Sequence, residues 1–82
     1  MVGRIVCSKS GRDKGYFMVV TEIQGNYLLV CDGKERPLER PKKKNPKHLS
    51  FTGRVLLADD YKSNKSLRKA LAVYKNAVKE EK

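Results

Sequence analysis

The chain has 82 residues, 39% of them apolar, and carries 19 Lys and Arg against 9 Asp and Glu, a net charge of +10 at pH 7. So short a chain makes one domain and leaves little room for a walled substrate cavity of roughly 300 Å³ or more, so its charge points to a surface function with a polyanion as partner. The longest apolar stretches, Tyr16 to Val20 and Tyr27 to Cys31, are far short of the roughly 20 residues that span a bilayer, and no membrane partner is expected.

Val2 to Cys7, with Val2, Ile5, Val6 and Cys7 apolar, predicts a first strand. Ser8 to Gly15 is a polar octet with two glycines able to take positive φ, and reads as a loop. Tyr16 to Gln24 is rich in β-branched and aromatic residues. Phe17, Val19, Thr21 and Ile23 share one face and Tyr16, Met18, Val20 and Glu22 the other, so this strand is expected to be buried on both sides at its start. Gly25-Asn26 follows, with glycine first as a two-residue hairpin turn of this kind requires, and leads into a strand over Tyr27 to Cys31. Asp32-Gly33 turns the chain again. Lys34 to His48 then holds seven Lys or Arg against two Glu, with prolines at 37, 41 and 46; proline lacks a ladder donor, so a strand here is irregular or lies at an edge. Leu49-Ser50-Phe51 and Arg54 to Leu57, on either side of Gly53, are expected to close the sheet.

Beyond Asp59-Asp60, read as turn or cap residues, Leu67, Ala70, Leu71, Tyr74, Ala77 and Val78 recur at three- and four-residue spacing, which predicts an amphipathic helix from about Ser63 to Lys79. Ser63 is the expected N-cap, while Lys65 at the start and Glu80 and Glu81 at the end oppose the macrodipole, so the ends should fray. The Leu67, Leu71 and Tyr74 stripe is expected to face the sheet, because an isolated helix of this length is marginal. The expected architecture is mainly β: a strongly bent sheet of about five strands within residues 1–60, and a C-terminal α-helix within residues 61–82 that packs on the sheet or extends from it.

Charge is concentrated. Residues 34–48 contribute a net +5, residues 61–82, with seven Lys or Arg against two Glu, contribute another +5, and the remainder is neutral, which predicts two basic patches. Lys42, Lys43, Lys44 and Lys47, with Arg36 and Arg40 nearby, can neutralise several phosphates, and Pro37, Pro41 and Pro46 reduce the entropy lost when such a segment is held on its target. Alternate side chains of an extended segment point to opposite faces, so two of the three consecutive lysines are expected to share the binding face. Tyr16, Tyr27 and Phe51 lie in apolar strand runs and read as core residues rather than stacking platforms.

Catalysis finds little support. The one histidine, His48, sits in a lysine-rich stretch with no acid close in sequence, and Gly11-Arg12-Asp13-Lys14-Gly15 lacks the spacing of a P-loop and precedes a strand where a helix is required. Cys7 and Cys31 are 24 positions apart with no CxxC pair, which disfavours a zinc site and reads as two reduced, buried thiols that do not pair with each other. The expectation is a protein that is not an enzyme and takes no cofactor and no metal. The opening residues lead straight into a strand-like run without the layout of a signal peptide, and a cytoplasmic location is expected.

Several short motifs follow one another in a fixed order: Val2-Gly3-Arg4-Ile5-Val6, Ser10-Gly11-Arg12-Asp13-Lys14-Gly15, Val19-Val20, Asn26-Tyr27-Leu28-Leu29-Val30 with Asp32-Gly33, and Lys42-Lys43-Lys44-Asn45-Pro46-Lys47-His48-Leu49. In this order and at these spacings, residues 2–50 resemble the KOW-domain RNA-binding family, and within it the family of the fourteenth large-subunit ribosomal protein of archaea and eukaryotes with its short bacterial relatives. The helical tail lies outside the resemblance. The resemblance implies an SH3-like β-barrel whose loops grip ribosomal RNA, with Lys9, Arg12, Lys14, Lys42, Lys43, Lys44, Lys47 and His48 as the RNA-binding residues; the charge run adds Arg36 and Arg40. The three prolines make the basic segment stiffer than in the ribosomal pattern. What is expected is a monomeric RNA-binding protein working on ribosomal RNA or at the ribosome. The alternative is an adaptor that uses the barrel to hold a ribosomal or transcription protein, as KOW domains also do.

Overall fold

The runs rich in β-branched and aromatic residues pair as antiparallel strands. In the computed structural model, which describes residues 2–80, β1 (Arg4–Ser8), β2 (Phe17–Gln24), β3 (Tyr27–Cys31), β4 (Lys42–Lys44) and β5 (Leu49–Val55) form one sheet in the order β4-β3-β2-β1-β5. Every neighbouring pair is antiparallel. Short 3-10 turns follow β4 (Pro46–His48) and β5 (Ala58–Tyr61), and α1 (Asn64–Glu80) ends the chain as described. Met1, Glu81 and Lys82, and with them the frayed end expected at Glu81, lie outside the described residues.

Strand alternation sorts the apolar residues onto two faces. Ile5 opposes Val19 and Val19 opposes Cys31, so these three share one face; Val6 opposes Met18 and Val20 opposes Val30 on the other. Both faces are buried. Ile5, Val19 and Cys31 pack with Leu56 and with Leu67 and Leu71 of α1, whereas Val6, Met18, Val20, Leu28, Val30 and Leu49 form a second cluster within the sheet. This is why three consecutive residues, Met18, Val19 and Val20, are all inaccessible.

An extra residue in β2 corrects the expected alternation. The register steps from Val20 opposite Val30 to Glu22 opposite Leu29, leaving Thr21 as a bulge whose hydroxyl donates to the Leu29 carbonyl at 3.3 Å. Ile23 therefore moves off the Val19 face and opposes Leu28, where it is half exposed. Beyond it the hairpin turns on Gly25, at φ 57°, a value that a residue with a Cβ rarely adopts, and closes with Gln24 opposite Tyr27.

The five strands and the C-terminal helix expected from the sequence both form, and the architecture is mixed: a five-stranded antiparallel sheet with one helix completing its core. β4 pairs only with β3 and β5 only with β1, and no strand ladder joins these two edges among the described residues. Ser63 caps α1: its Oγ accepts the Ser66 amide at 3.1 Å, and its carbonyl accepts the Leu67 amide at 2.9 Å. The first turn is also stitched to the long β3–β4 connection, because Asn64 Oδ1 accepts the Leu38 amide at 2.8 Å and Arg68 donates to the Gly33 carbonyl at 2.7 Å. Gly33 is obligatory there, since a Cβ would sit 2.7 Å from the Asn64 carbonyl oxygen. Asp60 accepts the Leu57 amide at 3.0 Å, a turn role as its position before the helix suggests.

Cys7 opposes Phe17 across β1–β2, and Cys31 opposes Val19 across β2–β3, so β2 lies between the two thiols. Two strand spacings of about 4.8 Å plus a two-residue offset exceed the roughly 7 Å between Cα atoms that a disulfide tolerates. Burial, only partly opposed by the Thr21 hydroxyl, pushes the Cys31 thiol above its ordinary pKa and so lowers its reactivity. Mild oxidation of the folded protein is expected to leave its mass unchanged, and a rapid two-dalton loss in the mass spectrum would contradict this strand order. Leu67 is fully buried whereas Val73 on the same helix is 61% exposed. Urea denaturation should find Leu67→Ala destabilising by about 2–5 kcal/mol and Val73→Ala by less than about 0.5 kcal/mol. Equal effects would mean that α1 does not pack on the sheet through Leu67.

Candidate nucleic-acid interface

Two basic segments, far apart in sequence, meet at one end of the sheet. β1 ends at Ser8, and the Lys9 amide donates to the His48 carbonyl at 2.8 Å, joining the 9–15 loop to the 3-10 turn after β4. The loop folds on itself through Lys14 to Gly11 at 3.2 Å, Tyr16 to Asp13 at 2.8 Å and Gly15 to Ser8 at 2.9 Å, all amide to carbonyl. In the 3-10 turn Asn45 Oδ1 accepts the Lys47 amide at 3.0 Å, and Pro46 starts the turn where its missing N–H costs nothing. Lys9, Arg12, Lys14, Lys47 and His48 are all exposed on this rim.

Asp13 is the residue that ties the rim together. It is 5% exposed, and its Oδ2 accepts from Lys42 Nζ at 3.1 Å and lies 3.7 Å from the Arg36 guanidinium. Burial by itself raises the pKa of a carboxyl group. Here the hydrogen bond and charge of Lys42, with the charges of Arg36 and Lys44, outweigh burial and hold Asp13 below its ordinary value. Two members of the expected binding set, Arg36 and Lys42, are thus directed inward at an acid, half-buried rather than free in solvent.

The three consecutive lysines divide differently from expectation. Lys44 opposes Leu28 and Lys42 opposes Val30, both residues of the second apolar cluster, so the alternation turns Lys42 and Lys44 inward and Lys43 outward. Lys44 is buried to 7% exposure; its stem covers apolar surface while Nζ donates to Ser8 Oγ at 3.1 Å and to the Ser10 carbonyl at 3.4 Å. One lysine of the three, not two, remains available at the surface. Lys43 lies with its ammonium 4.8 Å from the centre of the Tyr27 ring, a cation–π contact. Arg40 is exposed in the turn begun at Pro37, whose carbonyl accepts its amide at 2.9 Å, and no ion pair links it to the cluster among the described residues.

Asp13, a lone acid between Arg12 and Lys14, is a site residue that the run of charge does not single out, and the three aromatics expected in the core are at the surface. Tyr16 is 51% exposed, Tyr27 42% and Phe51 40%, because Tyr16 precedes β2, Tyr27 follows the hairpin tip and Phe51 lies on the edge strand β5. The second basic patch, around Lys65, Arg68, Lys69 and Lys75, occupies exposed positions of α1. Among the described residues no group of three His, Cys, Asp or Glu converges as a metal site, and no helix is long and apolar enough to cross a membrane. No protein-family model and no curated protein matches the chain.

Because the folded pKa of Asp13 is lowered from 3.8, its contribution to stability is complete above that value and is lost as pH falls through the lower folded value. Asp13→Asn should cost about 1–3 kcal/mol at neutral pH, as partly buried cations lose their charged acceptor, and should flatten the acid limb of stability against pH. Urea denaturation from pH 7 to pH 2.5 measures both. An unchanged acid limb in the variant would remove Asp13 from its central role.

Proposed function

We propose that the chain binds structured RNA, ribosomal RNA or the ribosome being the target class, through the phosphates facing the rim formed by the 9–15 loop and the Pro46–His48 turn. The observation that carries this reading is the convergence of Lys9, Arg12, Lys14 and Lys47 on one rim, with a single acid, Asp13, already engaged by Lys42 and Arg36. Cations gathered on a rigid backbone neutralise a run of phosphates with little entropy loss on binding. The net charge of +10 supports a polyanion as the partner.

The order of motifs along residues 2–50 supports membership of the KOW-domain family, and the strand order β4-β3-β2-β1-β5, with register breaks in β2–β3 and β1–β5 of the kind that bend a sheet, supports an SH3-like barrel. In this reading the protein is a cytoplasmic, monomeric binding module rather than an enzyme. Lys42 and Lys44 build the rim and the exposed cations use it.

The test is binding to ribosomal RNA fragments over a range of salt. Each cation removed from a phosphate lowers the slope of log affinity against log salt by about 0.7 to 0.9, so the Arg12→Ala, Lys14→Ala, Lys47→Ala triple variant should lower it by about 2 to 2.7. All three side chains are exposed, and the fold should be unaffected. A folded triple variant with unchanged affinity and slope would overturn the reading and favour the protein-adaptor alternative, for which Phe51, Val55 and Leu57 offer exposed apolar surface.

A further inference from the structure

An open groove of about 460 Å³ lies between the start of β2, the β3–β4 connection and α1. Its apolar side is made by Phe17 and by Leu71 and Ala72 of α1, and Tyr16 lines it as well. Phe17 is half-buried and packs edge-on against Tyr74, ring centres 5.3 Å apart, while its neighbour Tyr16 is 51% exposed. One aromatic is locked in the core and the next is presented to solvent at the groove.

The opposite wall is fixed. Arg68 donates to the Gly33 carbonyl at 2.7 Å, and Gly33 approaches the Asn64 backbone too closely for any side chain. Asp32, which also lines the groove, has its Oδ1 engaged by the Lys34 and Arg36 amides at 2.8 Å each, so that acid serves the turn. Three cations, Lys34, Arg68 and Lys75, face two carboxylates, Asp32 and Glu35, so the groove carries a net positive charge of one beside an apolar, aromatic lining. Tyr16 is two residues from Lys14, so the chain that carries the loop cations of the rim runs directly into the groove's exposed aromatic.

We infer that this groove takes one unpaired nucleotide of the RNA held at the rim, its base stacked on Tyr16 and its flanking phosphates near Lys34 and Lys75. A nucleobase has the flat apolar face that an exposed tyrosine accepts, and stacking of this kind tolerates any base. The favoured target is a helix interrupted by a bulged or unpaired nucleotide, with the rim on the paired backbone and the groove on the interruption. This rests on the RNA-binding reading above and adds to it a preference for one RNA shape.

The experiment compares two RNA hairpins, fully paired and carrying a single 2-aminopurine bulge, by affinity and by 2-aminopurine fluorescence. The full-length protein should bind the bulged hairpin about tenfold more tightly and quench its fluorescence. Tyr16→Ala should abolish both the preference and the quenching while leaving affinity for the paired hairpin unchanged, and Tyr16→Phe should restore both. Equal affinity of the unaltered protein for the two hairpins, or a bulge preference that survives Tyr16→Ala, would overturn the groove assignment and leave binding at the rim intact. Displacement of the bulge by micromolar adenosine monophosphate would also overturn it, by making the groove a mononucleotide site. Failure to bind either hairpin would overturn RNA binding itself.

Discussion

The carboxylate of Asp13 is the constraint on which the arrangement of the charged surface depends. A buried acid with no partner is costly to ionise, and two cations from elsewhere in the chain, Lys42 and Arg36, come to it instead of pointing into solvent. That exchange anchors the 9–15 loop to β4 and to the connection before it. The Lys44 bonds to Ser8 and Ser10 run in parallel, and together they close one end of the second apolar cluster with charge kept in hydrogen bonds. The exposed cations of the loop and of the 3-10 turn inherit fixed positions from these internal bonds, which is how a lysine-rich sequence becomes a surface with a defined shape.

The helix performs a comparable service on the opposite face. Its Leu67 and Leu71 complete a cluster that Ile5, Val19 and Cys31 of the sheet cannot close alone, each buried leucine contributing about 1.5–3 kcal/mol. The polar side of its first turn holds the connection between β3 and β4, through Asn64 and Arg68, so the segment that carries Arg36 and leads into the lysines of β4 is restrained at both ends. A chain this short has few ways to order so long a connection. Placing the helix cap against it orders the loop with the same polar groups that the helix terminus presents.

The proposed RNA site and the groove beside it follow from this division of labour. Charges that neutralise one another inside build the scaffold, and those left outside meet a ligand of opposite sign. The aromatic residues divide in the same way. Phe17 joins the core through Tyr74, whereas Tyr16, one position earlier and outside the β2 ladder, remains at the surface. Phe17 opens the β2 ladder and is drawn onto α1, whereas Tyr16 belongs to the end of the loop, so a single step along the sequence separates a packing residue from a presented one.

Residue type and spacing by themselves determined the strand runs, the Gly25-Asn26 turn, the helix with its Ser63 cap and its Leu67 and Leu71 stripe, because propensity, turn chemistry and periodicity act between near neighbours. The excess of positive charge and its concentration after Lys34 were equally plain. Tertiary structure alone decided which charges remain free. Whether Lys44 reaches solvent depends on Leu28 opposite it and on Ser8 at the end of another strand, and the lowering of the Asp13 pKa depends on Lys42 and Arg36, both distant in sequence. The Thr21 bulge, too, becomes visible only when β2 is laid against β3, since an extra residue is extra only relative to a partner strand. Pairing across the sheet sets burial, burial sets the electrostatics of each ionisable group, and neither can be read from one chain segment taken alone.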